Sequence, residues 1–404
     1  MVRWFLLSIS LLLIFSCKKG SEIQQSLFTS STLESYRFVQ QLSAQQISNL
    51  IDTTGASTGI ACIYPVNIYE VTYRTTNYKD EACLAKGIIC FPVISRMLIP
   101  VISLQHGAIF SKYNIRADTT EDIFNMAALL CSESGAAVCL PYYIGIGDVT
   151  ATHHFFNAKE ETNAVIDITR TLTDLSAKTN SAVTIMNELI LAGYSQGAHA
   201  SLATLNKIER LYSRDFNVKL TILISGIYSF KASQQLSYIT DSAAYTYTSV
   251  FPYLIRSIQE TKQLYPYYSS YLKHPYDSLC SSVFSSHLPE DTILTRFPLY
   301  ATNMLQPDFR NELQTNPQHP FWNALFENDL LNNPNPITPI YFYYSAADEV
   351  AKPQNSTLAY NQFRTTNNNV YIENVGNVSH LTSCFAGLKR MRRWVYKQVK
   401  LIPY

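Results

Sequence analysis

The stretch Glu188-Leu189-Ile190-Leu191-Ala192-Gly193-Tyr194-Ser195-Gln196-Gly197 runs from an apolar segment straight into a Gly-x-Ser-x-Gly turn, and a helix-forming stretch, Ala198 to Ile208, follows it. Strand, tight turn and helix in that order are the sequence form of a nucleophile elbow, which lifts a strained serine clear of both elements. Gly193 and Gly197 suit the role because backbone packs on backbone at such a turn and leaves no room for a β-carbon. Ser195 is therefore the first candidate for a reactive group. The plainer reading is a Gly/Ser-rich turn without chemistry, and the ordered elements around the pentapeptide weigh against it.

Outward from the elbow, short apolar runs alternate with helical stretches. Pro100 to Leu104, Ala136 to Leu140, Leu220 to Ile227, Ile340 to Tyr344 and Val370 to Ile372 read as strands. Ile123 to Leu130, Ala158 to Leu175, Thr357 to Phe363 and Cys384 to Val399 read as helices. Fully apolar strands separated by helices predict an α/β fold, a mainly parallel sheet covered on both faces. Ahead of it, Ser43 to Ile51 reads as a short helix, and Asn67 to Thr75 with Ala82 to Phe91 as an antiparallel hairpin. The alternation lapses between about residues 230 and 336, where Tyr, Ser, Phe and Pro are frequent and pieces such as Tyr253 to Gln263 are amphipathic. Inserted between two sheet strands, this segment is expected to lie over the strand ends as a cap.

Of the 404 residues 47% are apolar and 15% charged, enough apolar material for a sizeable core. The net charge is +1 without long runs of either sign, which sets nucleic acid aside as a partner. Arg3, the apolar run Trp4 to Phe15 and then Ser16-Cys17 resemble a bacterial signal peptide ending in a lipobox. On that reading residues 1–17 are the signal and the lipidated Cys17, 18–42 a polar tether, and 43–404 the folded domain. The protein is then held to a membrane of the cell envelope through Cys17; an ordinary secretory signal or a short anchor is the alternative. Seven cysteines remain, of which Cys62 and Cys83 flank the hairpin and could pair, while Cys90, Cys131 and Cys139 suit buried thiols. No cysteine pair has metal-ligand spacing, and no cofactor or metal is expected.

A serine hydroxyl needs a base to take its proton, and the base needs an orienting acid. Downstream of an elbow the expected order is acid, then histidine. Asp348, in the loop after the strand Ile340 to Tyr344, is the leading acid, and Glu349 competes with it. His380, in the loop after the last strand, is the leading base. His199 is tied to the helix behind Ser195 and reads as structural. His153 and His154 could line the pocket or cap a helix, and His274, His287 and His319 fall in the presumed cap. Donors for a developing oxyanion are expected at the backbone N–H of Gln196, which opens the helix, and of Ala108 in the loop Gln105-His106-Gly107-Ala108, with Ile109 as an alternative.

Together these pieces resemble the α/β-hydrolase superfamily over residues 100–400, and within it secreted lipases and esterases of the fungal secretory-lipase type and their bacterial lipoprotein-like relatives. The likeness rests on Gln105-His106-Gly107, the run Pro141 to Gly147, Gly193 to Gly197, Asp348-Glu349-Val350 leading to Asn355-Ser356, and His380. It implies a triad of Ser195, Asp348 and His380, an oxyanion hole at Gln196 and Ala108, a helical cap that shapes the acyl pocket, and hydrolysis of small-molecule or lipid esters through an acyl-serine. A prolyl-type serine peptidase would share fold and triad. A glycan- or lipid-binding protein that kept the fold without turnover is the third possibility.

Overall fold

The computed structural model describes residues 32–52, 59–113, 115, 122–147, 149–234, 247–331 and 335–404. A ten-stranded sheet organises the chain, with strands β1 (Leu33–Leu42), β2 (Val66–Thr76), β3 (Ala82–Pro92), β4 (Met97–Gln105), β5 (Ala137–Pro141), β6 (Val183–Tyr194), β7 (Asn217–Ile224), β8 (Ile340–Tyr344), β9 (Val370–Asn374) and β10 (Ile402–Pro403). Their order is β1-β2-β3-β5-β4-β6-β7-β8-β9, with β10 pairing with the start of β4. β5, β4, β6, β7, β8 and β9 run parallel, and β1, β2 and β3 add antiparallel pairings at one edge.

The apolar runs are unbroken because both faces of the parallel strands are covered, and successive residues serve opposite layers. Leu189 and Leu191 of β6 join the layer formed with α3 (Ala158–Lys178) and α4 (Gln196–Lys207). Ile190 and Ala192 face the layer of α1 (Ala44–Asp52) and α2 (Asp122–Ser134), with the C-terminal helix α12 (His380–Gln398) packed beside them. A buried ion pair, Arg392 with Glu133, ties α12 to α2.

Between β7 and β8 the chain inserts α5 (Val250–Lys262), α6 (Tyr276–Ser282), α7 (Glu290–Leu294), α8 (Ala301–Met304), α9 (Pro307–Thr315) and α10 (Pro320–Phe326). These helices share an aromatic-rich core of their own, including Phe251, Tyr253, Phe284, Phe321 and Trp322. Phe110 and Phe155 from loops at the sheet edge reach into it and join insertion to sheet. After β8, α11 (Gln354–Arg364) leads into β9.

Two boundaries differ from the sequence reading. Leu33 to Leu42, assigned there to a tether over 18–42, is an edge strand paired antiparallel with β2. Most of its side chains are exposed, so it carries polar residues without the apolar alternation that marks a half-buried strand. The final helix begins at His380 rather than Cys384, with Ser379 as N-cap accepting from the Thr382 N–H. Cys62 and Cys83 are both thiols, and no disulfide joins them. The signal-like segment and Cys17 lie outside the described residues.

Candidate active site

β6 ends at Tyr194 and α4 begins at Gln196, leaving Ser195 alone at the turn with φ 55° and ψ −119°. That conformation is strained for a residue with a side chain, and it persists because the surroundings over-determine it. A β-carbon on Gly193 would strike the Gly197 carbonyl, and one on Gly197 would strike the Gln105 carbonyl and lie 2.6 Å from that of His106. Both glycines are thus fixed by close backbone approach, the second by the loop that follows β4. Gly197→Ala is expected to push this loop off Ser195, lowering stability by about 1–3 kcal/mol, measured by urea unfolding.

β4, β6, β8 and β9 deliver their carboxyl ends to the same edge of the sheet, so residues distant in sequence meet there. His380 Nε2 lies 2.9 Å from Ser195 Oγ. His380 Nδ1 lies 2.9 and 2.8 Å from Asp348 Oδ1 and Oδ2. A carboxylate only accepts, so Nδ1 carries the proton and Nε2 faces the serine as a base. Asp348 is itself held, since its Oδ1 accepts from the N–H groups of Val350 at 3.0 Å and Ala351 at 2.8 Å. All three side chains are buried.

The competing acid has a different place. Glu349 Oε2 accepts from the His380 backbone N–H at 3.0 Å and helps seat the first turn of α12. Tyr194, next to the serine, donates from its hydroxyl to the His380 carbonyl at 3.2 Å, and its ring lies against the imidazole.

The loop after β4 passes directly over the serine: a β-carbon on Gly107 would stand 3.6 Å from Ser195 Cβ. Ala108 follows and lines the cavity at Ser195. The Tyr143 hydroxyl donates to the His106 carbonyl at 3.1 Å, tying the loop to the segment after β5. Burial pushes the His106 ring down to about 4, so it is neutral near pH 7. Gln196 opens α4, and the first N–H groups of a helix have no intrahelical acceptor.

The remaining histidines lie elsewhere. His199 is buried between Glu161 and the Asn328 carbonyl, and His153 binds the Ile144 carbonyl. His154 pairs with Glu160. In the insertion, His274 is exposed, His287 stacks on Tyr113, and His319 caps α10. Among the described residues no group of three or more His, Cys, Asp or Glu side chains is placed to hold a metal ion.

A cavity of about 400 Å³ opens beside Ser195 and His380, within the size range of small-ligand sites. Its apolar walls come from Leu50 of α1, Met126 and Leu129 of α2, Leu381, Phe385 and Leu388 of α12, and Ala108, Ile109, Phe110 and Ile115 after β4. The insertion supplies Tyr247, Val250, Glu290 and Asp291 on one side. The insertion thus takes part in the cavity wall, as expected of a cap, and does not form it alone. The helices that cover the sheet and the loop after β4 share the wall with it, because α12 starts at the edge that holds Ser195 and carries its apolar face past it. The sequence reading placed Leu50, Met126, Leu129, Phe385 and Leu388 in helical stretches, and nothing in a helical period separates core-facing from cavity-facing positions.

A strand–serine–helix turn at the carboxyl edge of such a sheet, with acid and histidine loops arriving after later strands, makes this an α/β-hydrolase fold. The chain belongs to the secretory lipase family, whose sequence model matches residues 104–400. Membership makes it a hydrolase of lipase or esterase type. Its fold is similar to that of a Legionella pneumophila protein assigned as a hydrolase, with a TM-score of 0.84 at 20% identity over 91% of this chain and 98% of that one. It is also similar to the rice cell wall degrading esterase LipA from Xanthomonas oryzae, with a TM-score of 0.79 at 21% identity over 91% and 96% of the two chains. Candida antarctica lipase A in its closed state is more distant, with a TM-score of 0.62 at 14% identity over 87% and 78%. At these identities the likeness is one of fold. No curated protein matches the sequence.

Proposed function

We propose that the protein is a serine carboxylic-ester hydrolase of the cell envelope, acting through an acyl-Ser195 intermediate on esters with an apolar acyl group. The observation that carries this is the unbroken relay from Ser195 Oγ through His380 to Asp348 at the wall of an apolar cavity.

Ser195 Oγ attacks the ester carbonyl while its proton passes to His380 Nε2, and Asp348 stabilises the imidazolium that forms. The carbonyl oxygen gains the negative charge, which the N–H groups of Gln196 and Ala108 receive. Collapse breaks the bond to the alkoxy group, which leaves as the alcohol with the proton from His380. Water then enters, gives a proton to His380 and attacks the acyl carbon. The acid departs, and Ser195 recovers its proton. The signal-like N-terminus ending in Ser16-Cys17 supports the envelope location, as does the secretory character of the family.

A panel of p-nitrophenyl esters tests the reading. Each buried methylene contributes about 0.8 kcal/mol, so kcat/KM is expected to rise roughly fourfold per added acyl carbon until the cavity is full. A fluorophosphonate is expected to label Ser195. Faster turnover of proline anilides than of any ester would overturn the assignment.

A further inference from the structure

Gln196 was singled out for its backbone N–H, yet its side chain is also fully buried and points away from the cavity into a polar cluster behind the elbow. Its Nε2 donates to Glu161 Oε1 at 2.9 Å and lies 3.2 Å from His153 Nε2. Tautomers follow from the partners. His153 Nδ1 faces the Ile144 carbonyl at 2.9 Å, so Nδ1 carries the proton and Nε2 is the bare acceptor. Burial pushes the His153 ring down to about 3, which keeps it neutral. The amide of Gln196 thus spends both hydrogens, one on Glu161 and one on His153.

The other Glu161 oxygen is 2.6 Å from His199 Nδ1, and His199 Nε2 is 2.9 Å from the Asn328 carbonyl. A ring between a carboxylate and a carbonyl satisfies both only with a proton on each nitrogen. Burial is the largest single influence and works against the charged ring, but Glu161, the Asn328 carbonyl and Asp329 together outweigh it and hold His199 above its usual range. Glu161 lies in the first turn of α3, where the helix dipole favours a carboxylate. This charge pair is anchored in α3, α4 and the insertion at once.

We propose that Glu161 is a positioning residue for ester hydrolysis: through the Gln196 side chain it fixes the first residue of α4, and with it the aim of the N–H that receives the oxyanion. The inference rests on the esterase reading above. Ser195 needs no partner behind the elbow to be presented, because the two glycines already fix the turn. The N–H of Gln196 has a narrower requirement: it lies in the Ser195–Gln196 peptide, whose carbonyl accepts from the Ala198 and His199 N–H groups at 3.0 and 3.2 Å, and the Gln196 amide adds a side-chain anchor on the other side of that N–H. A clamp of two directed hydrogen bonds, one to a buried charge, is a device for orientation, since an apolar side chain would fill the same space.

The test compares Glu161→Gln, Glu161→Ala and Gln196→Met with the parent, using a p-nitrophenyl ester and a trifluoromethyl ketone that forms the tetrahedral adduct. Gln196→Met keeps the backbone N–H and removes only the clamp, so it decides the matter if the Glu161 variants do not fold. The expected result for Glu161→Ala and Gln196→Met is a kcat about 10-fold lower with KM within twofold, and ketone affinity weakened by the same factor as kcat. Glu161→Gln keeps one acceptor for Gln196 and is expected to fall between them and the parent. Unchanged kcat and ketone affinity, with only the unfolding midpoint lowered, would show a merely structural role and overturn the proposal. Failure of the parent to hydrolyse any ester is a different outcome, and it overturns the esterase reading instead.

Discussion

Ser195→Ala is expected to lower kcat for p-nitrophenyl esters by about a million-fold, with substrate binding unchanged and fluorophosphonate labelling abolished. In the proposed mechanism the substitution removes the atom that forms the acyl bond, which neither the oxyanion donors nor the cavity could replace. What remains is the residual acceleration of about 10³- to 10⁴-fold over water that binding and oxyanion stabilisation give without a nucleophile. Ser195 makes no side-chain cap to α4, so the substitution removes chemistry and leaves the helix start intact. Unfolding midpoints of parent and variant are expected to agree within a degree or two. A variant that turned over esters at the parent rate would place the reactive group elsewhere.

Asp348→Asn is expected to lower kcat by about 10⁴-fold. In the parent, both carboxylate oxygens stand within 2.9 Å of His380 Nδ1 and both only accept, which fixes the imidazole proton on Nδ1. An asparagine in the same site can turn its amide N–H toward the ring. The proton then belongs on Nε2, where it faces Ser195 and cannot take up the serine proton. The Val350 and Ala351 N–H groups, at 3.0 and 2.8 Å from Oδ1, hold an acceptor at that position, so the remaining amide group is directed at the histidine. Glu349→Gln is the matched control. Its carboxylate contacts the His380 backbone N–H and not the ring, so an effect below 10-fold is expected. A larger loss at Glu349 than at Asp348 in steady-state assays would reverse the assignment of the acid.

Much of the sheet was legible because its strands are buried on both faces and appear as unbroken apolar runs; Ile340 to Tyr344 coincides with β8 end for end. The edge strand β1 was not, since an edge strand exposed on most positions has no apolar rhythm to detect. At the site, the elbow was legible from five residues because its geometry demands glycine on both sides of the serine. Asp348 and His380 were legible from their positions after strands. The clamp on Gln196 had no sequence signature: Glu161 reads as an ordinary acidic residue in the first turn of a helix, and His153 as one of a pair in a loop. Only when α3 packs on α4 does the carboxylate stand 2.9 Å from the Gln196 amide.

By itself, then, the chain's order of apolar runs, glycines and loop residues determined the layers of the fold and the identity of the candidate reacting groups, because those depend on local geometry and on periodicity. The tertiary structure decided which carboxylate meets the histidine, which helices line the cavity, and which side chains meet the Gln196 amide. Those contacts join residues 32 to 185 positions apart, and their direction depends on how side chains turn within a packed interior.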